Sequence, residues 1–219
     1  NILDALDRLA LNEDTLVVYV SDHGEQMGAH GLWGKSTFFR ESTRVPLLMR
    51  WPGQLESGQR VTQPVSLVDL GSTLLQLAGL ETLPNAHSEG FGDLITSASK
   101  NNPEAPVIIE GFFGDVPGRT VVTSRWRFSC YLNQGEELFD LRSDPTETRN
   151  LSGNPAYASI QAELARIAAS GWNPEDLQAR MKMRMKELSL LQSWVGTTPL
   201  KEPDPPWHQG RQLRNYVRV

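Results

Sequence analysis

The chain has 219 residues, of which 21 are Lys or Arg and 26 are Asp or Glu, giving a net charge of −5 at pH 7. That mild acidity argues against a nucleic-acid binder, which presents a basic face to phosphates, while an apolar content of 39% is enough for a packed core. The single cysteine, Cys130, excludes an internal disulfide, and no apolar run approaches the ~20 residues that cross a bilayer.

No signal peptide is visible. The first residue is Asn1 rather than Met, so the sequence is expected to start inside a longer protein. From Ile2 to Leu11, the residues Leu3, Leu6, Leu9 and Ala10 recur near helical spacing and predict a helix that ends at Asn12-Glu-Asp14. Thr15 to Val20 is an almost continuous apolar, β-rich run, which predicts a strand buried on both faces. Val45 to Trp51 predicts a second strand, closed by Pro52-Gly53. Ser66 to Gly79 predicts a helix with Ser66 as N-cap, Asp69 in its first turn and Gly79 as its stop. Its buried stripe is expected to be Leu67, Leu70, Leu74, Leu77 and Ala78.

Residues 81–105 are rich in Asn, Ser, Gly and Pro and read as an irregular loop; Ala105 to Phe113 reads as a strand. Gly114 to Gly118 reads as a turn and a domain boundary. Short strands then follow at Thr120–Thr123, Arg127–Leu132 and Glu137–Leu141, an antiparallel meander. A helix is expected from about Pro155 to Ala169, and a second is capped by Asn173 with Pro174 at its first position. The apolar stripe of that last helix is expected at Leu177, Met181, Met185, Leu188, Leu191 and Val195. From Thr197 the tail carries Pro199, Pro203, Pro205 and Pro206 and cannot continue a helix. The fold expectation is α/β: part of a mixed, largely parallel sheet with flanking helices, followed by a smaller antiparallel-sheet-plus-helix subdomain. The boundary falls between residues 1–115 and 116–219, the second part holding the antiparallel strands, two helices and the Pro-rich tail.

The chemistry concentrates where the first strand ends. In open α/β sheets, ligands bind beyond the carboxyl ends of strands, and Asp22 and His23 stand just there, with Gly24 freeing the turn of a side chain. A carboxylate and an imidazole side by side can face one cation, hard ions preferring the oxygen and softer ions the nitrogen. The alternative is that Asp22 caps the turn and His23 is a surface histidine. Lys35, in a Gly-rich loop, is either a solvated lysine or the ammonium that neutralises charge on a tetrahedral oxyanion beside the metal. His30 either reaches a substrate oxygen or packs the loop. Glu41 and Arg44 either touch substrate or, the favoured expectation, pair with each other or brace the loop, and His87 and His208 show no ligand pattern.

Ser21-Asp-His-Gly24, Gly28-Ala-His-Gly31, Gly34-Lys35 and Arg44-Val-Pro46, in that order, resemble a conserved block of the sulfatase family of the alkaline-phosphatase superfamily. Ser66-Leu-Val-Asp69, Thr73-Leu-Leu75 and Leu77-Ala-Gly79 resemble that family's next helix, and Arg125-Trp-Arg127 resembles a strand of its C-terminal subdomain. Glu137-Leu-Phe-Asp-Leu141, Asp144-Pro145, Glu147 and Asn150-Leu151 resemble its "ELYDL..DP.E..NL" segment. The resemblance extends over residues 1–152. It implies that Asp22 and His23 are metal ligands and that Lys35 contacts the sulfate. Calcium is the implied ion, with Mn2+, Mg2+ or Zn2+ as alternatives, and two further aspartates would come from the start of the protein. It also implies a formylglycine nucleophile made from a C-x-P-S-R motif. Cys130, in Phe-Ser-Cys-Tyr-Leu, lacks the Pro and Arg of that motif and is expected only to pack in a strand.

The resulting expectation is the C-terminal portion of a sulfatase, inactive by itself, whose parent hydrolyses a small-molecule or carbohydrate sulfate ester. Neither nucleic acid nor membrane is an expected partner. An oligomer, or the missing N-terminal half, is expected to cover the open sheet edge. A phosphonate or phosphate-ester hydrolase of the same superfamily is the second reading, favoured by histidine rather than asparagine at position 23. A truncated binding or structural module is the third.

Overall fold

A computed structural model describes residues 1–82, 84, 90–96, 102 and 105–197. The chain divides into two units, Asn1–Glu175 and Asp176–Val219. In the first unit the elements run α1 (Ile2–Arg8), β1 (Val17–Val20), α2 (Arg40–Thr43), β2 (Leu47–Arg50), α3 (Leu70–Leu77), α4 (Gly92–Thr96), β3 (Val107–Phe113), β4 (Val116–Val122), β5 (Trp126–Tyr131), β6 (Glu136–Asp140) and α5 (Ala158–Ala169). The second unit contains most of α6 (Pro174–Thr197). No described helix is long and apolar enough to cross a membrane.

The centre of the first unit is a four-stranded antiparallel sheet in the order β3-β4-β5-β6. Its strands alternate, and alternation gives the sheet two differently occupied faces. Val121, Trp126, Phe128 and Leu138 face one way and bury themselves with Leu151, Leu164 and Ala168, the last two contributed by α5. Arg119 shares that face with Val121 and donates to the carbonyls of Ala168 and Ser170, satisfying backbone acceptors at the end of α5.

The opposite face receives the long connection between β1 and β2. Phe38 lies 4.8 Å from the Phe113 ring and 5.6 Å from Tyr131. It fits because Gly118 has no side chain: a Cβ there would stand 2.9 Å from the Phe38 ring and 2.7 Å from Tyr131. Phe39 approaches Phe139 on β6, with ring centroids 6.1 Å apart.

The meander follows the sequence expectation, but β4 begins earlier, at Val116, so Pro117 and Gly118 belong to the strand. Gly114 and Asp115 form the turn of the β3–β4 hairpin, and the expected boundary at 115/116 falls on that turn.

The largely parallel sheet is not seen. Among the described residues every strand pair is antiparallel, and β1 pairs only with β2, from Val17↔Arg50 to Val20↔Leu47. A parallel partner needs a crossover that carries the chain back along the sheet; the Ser21–Pro46 connection instead returns it in the opposite direction. With one neighbouring strand, β1 is not buried on both faces: Tyr19 and Leu48, opposite each other in the ribbon, are both exposed.

Helix α1 stops at Arg8 and buries none of its residues, so Leu3 and Leu9 lie in solvent. Asn1 caps it through a reciprocal bond pair with Asp4. Ser66 caps the turn before α3 as expected, accepting from Val68 N–H. The buried side of α3 is Ser72 and Thr73 rather than the leucine stripe. The reason is a polar clasp: Thr73 Oγ1 accepts the Phe91 N–H at 2.8 Å, bringing buried Phe91 and Leu94 against that face. Part of the expected loop at 81–105 is helix α4. On α6, Leu177 and Met181 are half-buried while Met185, Leu188 and Leu191 are exposed, and Val195 lies outside the described side chains. His87, His208 and the prolines of the tail lie outside the described residues.

Candidate active site

β1 ends at Val20 and the chain turns at once. Ser21 Oγ donates to the His23 carbonyl at 2.8 Å, and the His23 N–H donates to Asp22 Oδ1 at 2.9 Å. Gly24 N–H then donates to the carbonyl of Ser42, in α2, at 2.9 Å. Glycine at 24 is expected on grounds of turning freedom, but its backbone angles are ordinary, and the constraint is proximity. A Cβ there would lie 1.8 Å from the Glu41 carbonyl oxygen.

This turn sets two donor atoms side by side. His23 Nδ1 lies 2.8 Å from the Gly24 carbonyl, a contact in which the ring nitrogen must donate. Nε2 is then the nitrogen with a free lone pair, and it lies 3.4 Å from Asp22 Oδ2. Donors bound to one ion at about 2.1 Å each can stand at most about 4.2 Å apart, so both reach a single cation. Fixing the remote ring nitrogen on a backbone carbonyl is also how ligand histidines are commonly oriented. The Asp22 and His23 pair therefore fits a divalent metal.

Desolvation, the largest single influence, works against ionisation of Asp22. The His23 N–H, the His23 ring and Lys35 outweigh it and hold the carboxyl below its ordinary value. Lys35 makes the smallest of these contributions, from the loop that follows the turn. Three bonds close the loop: Gln26 N–H to the Gly34 carbonyl at 2.9 Å, Gly28 N–H to the Leu32 carbonyl at 2.9 Å, and Gly34 N–H to Glu25 Oε1 at 2.6 Å.

His30 joins a different group. It has left-handed backbone angles, φ 54° and ψ 19°, and its ring stacks on Phe39 at 3.7 Å. Its Nε2 lies 3.7 Å from Glu41 Oε2, so Glu41 faces His30 rather than pairing with Arg44. His30, Glu41 and Glu147 offer ligand atoms within 4.8 Å of one another. Arg127 offsets the charge of Glu147, its Nε 2.9 Å from Glu147 Oε1, and Arg40 donates its N–H to Glu147 Oε2 at 2.8 Å. The cluster is the centre of an ion-pair network that joins the loop to β5.

Arg127 and Glu147 are 3% and 1% exposed. Burial pulls the guanidinium below its ordinary range, against the attraction of Glu147, and pushes the carboxyl up, against the attraction of Arg127. Both residues stand in segments quoted above, yet their role was invisible without the fold. The residues missed altogether are Gln26, Thr37 and Ser42. Their side chains bond one another, and no sequence period marks them.

The chain matches the family described as N-sulphoglucosamine sulphohydrolase, C-terminal, over residues 28–170. It is 32% identical to a choline-sulfatase of Rhizobium meliloti (strain 1021), over all of this chain and 44% of that protein. The chain thus spans less than half the length of that relative. Among solved structures, a 2-O GAG sulfatase aligns with TM-score 0.66 and 28% identity, over 85% of this chain and 41% of the other. The phosphonate monoester hydrolase of Agrobacterium radiobacter aligns with TM-score 0.65 and 26% identity, over 75% and 36%. With ordered motifs, an antiparallel sheet backed by α5 and a matched segment covering most of the first unit, the chain belongs to the sulfatase family of the alkaline-phosphatase superfamily, as part of its C-terminal portion.

Proposed function

We propose that this chain is the C-terminal part of a metal-dependent sulfatase that hydrolyses a sulfate ester, small-molecule or carbohydrate, to the alcohol and sulfate. The observation that carries the reading is the Asp22 Oδ2 and His23 Nε2 pair at 3.4 Å. In this reading residues 1–115 contribute to the catalytic α/β domain and residues 116–219 form its C-terminal subdomain. Asp22 and His23 hold a divalent ion, Ca2+ by family resemblance, with Mn2+, Mg2+ or Zn2+ as alternatives. When bound, the ion supplies Lewis-acid polarisation of the ester oxygens. Lys35 places its ammonium against the sulfate and offsets the charge that gathers on its oxygens. His30, held on Phe39 and Glu41, has a loop-packing role. The nucleophile, a formylglycine by resemblance, and two further ligands come from the part of the protein that precedes these residues. That part also covers the open face of the β1–β2 ribbon.

A test is hydrolysis of 4-nitrophenyl sulfate by the full-length protein. Lys35→Met is expected to lower kcat/KM by about 10²–10³, and His23→Ala to lower metal content measured by mass spectrometry. The 219-residue chain alone is expected to be inactive; turnover by it would overturn the division of labour proposed here. A second reading, a phosphonate or phosphate ester hydrolase, is favoured by His23, because imidazole suits the softer divalent ions, and by the likeness to the phosphonate monoester hydrolase. A higher kcat/KM for phenylphosphonate esters than for sulfate esters would select it.

A further inference from the structure

We infer that Gln26 is a positioning residue that fixes the spacing between the Asp22–His23 turn and Lys35. The inference rests on the reading of those three residues as the site. Gln26 is 2% exposed, an unusual place for a primary amide. Its backbone N–H donates to the Gly34 carbonyl at 2.9 Å, immediately before Lys35. Its Nε2 donates to Thr37 Oγ1, two residues after Lys35, and to Ser42 Oγ at 3.1 Å. One residue therefore holds the chain on both sides of the lysine.

The same amide reaches the other end of the site. Ser42 is in α2, and its carbonyl accepts the N–H of Gly24, the residue after His23. Thr37 Oγ1 and Ser42 Oγ lie 2.9 Å apart, which closes a three-membered polar knot among Gln26, Thr37 and Ser42. The pieces tied to it carry Asp22 and His23 on one side and Lys35 on the other.

A packing role does not call for this chemistry. A methionine fills the same volume without desolvating an amide, and burying a polar atom that finds no partner costs free energy. Here Oε1 is buried without a hydrogen-bond partner among the described residues, so the amide is a costly way to fill space. Hydrogen bonds supply direction and length, which apolar contacts do not, and a site built from two loop segments needs both.

The test is Gln26→Met, which conserves shape and removes the bonds. In this chain, amide hydrogen exchange at Gly24 and Gln26 is expected to accelerate at least about tenfold, while exchange at Val121, Phe128 and Leu138 stays unchanged. In the full-length protein, kcat is expected to fall by about 10- to 100-fold with KM nearly constant, because a displacement of about 1 Å misaligns the reacting groups. Gln26→Glu, whose carboxylate can accept from both hydroxyls, is expected to recover part of kcat. Unchanged exchange, or an unchanged kcat, in Gln26→Met overturns the inference. If Gln26→Met does not fold, Thr37→Val removes one bond from a half-buried position, and unaltered exchange at Gln26 then overturns it equally. Full activity in Lys35→Met would instead refute the site reading, and the exchange result would still decide whether Gln26 ties the loop.

Discussion

Arg127→Met is the most informative perturbation of the framework behind the site. It removes a guanidinium 2.9 Å from Glu147 and leaves that carboxylate, 1% exposed, with the Arg40 N–H donating to its other oxygen at 2.8 Å. Breaking one side of a buried pair costs about 3–5 kcal/mol, because an uncompensated charge stays behind. For a chain of this size each 1 kcal/mol lowers Tm by about 2–4 °C, so a loss of about 10 °C is expected. The double variant Arg127→Met/Glu147→Met should lose less than Arg127→Met alone, since no buried charge remains. Burial holds the Glu147 carboxyl above its ordinary value of 4.5 even with Arg127 present. A group whose folded-state pKa is raised contributes its full linkage stability below the unfolded value and loses it as pH rises through the folded value. The defect of Arg127→Met should therefore shrink on acidification toward 4.5 and grow above the folded-state pKa. Urea unfolding followed by circular dichroism across that range measures both effects. A loss below about 1 kcal/mol in Arg127→Met, the range of a surface pair, would refute the reasoning, as would a double variant worse than the sum of the singles.

Gly24→Ala puts a methyl group 1.8 Å from the Glu41 carbonyl oxygen, so α2 or the Asp22 turn must move. A cost of about 1–3 kcal/mol is expected, with faster amide exchange at Gln26, and an unchanged melting curve would count against the close approach. Phe38→Ala empties the aromatic site over Gly118 and should cost about 3–5 kcal/mol in urea unfolding; a loss under about 1 kcal/mol would mean that Phe38 does not anchor the loop. Burial pushes the Cys130 thiol up to about 11, Glu136 adding to the effect. Iodoacetamide should therefore modify Cys130 slowly at pH 8, where roughly one thiol in a thousand is ionised, and faster as pH rises. Rapid labelling at pH 7 in the folded chain would contradict that environment.

What could be read from sequence divides by the range of the interaction. The meander β4–β6 was legible because strand periodicity is local: Phe128, Arg127 and Leu138 announce their faces by position alone. The strand at Val17–Val20 was legible as a strand, but its surroundings were not. An apolar run states a need for cover without saying which chain supplies it, and here Tyr19 and Val20 remain open. Asp22, His23 and Lys35 were legible through motif order, and the turn places the first two within reach of one ion. Glu147 meets Arg40 from 107 residues away, and Gln26 meets Ser42 across a loop, and neither pairing leaves a local signature.

The two long-range ties share one element, and this links stability to the site. Helix α2 has four residues, too few to persist alone. Glu147 accepts its first N–H, Arg127 reaches Thr43 Oγ1 at 3.3 Å near its end, and Phe38 and Phe39 before it rest on aromatic residues of the sheet. The sheet face opposite α5 thus holds α2, and α2 through Ser42 holds both Gly24 and Gln26. Changes at Arg127 or Phe38 should therefore loosen Gly24 and Gln26 amides before they melt β4 and β5. Exchange that accelerates uniformly over both regions would mean that the loop and the sheet open together as one unit.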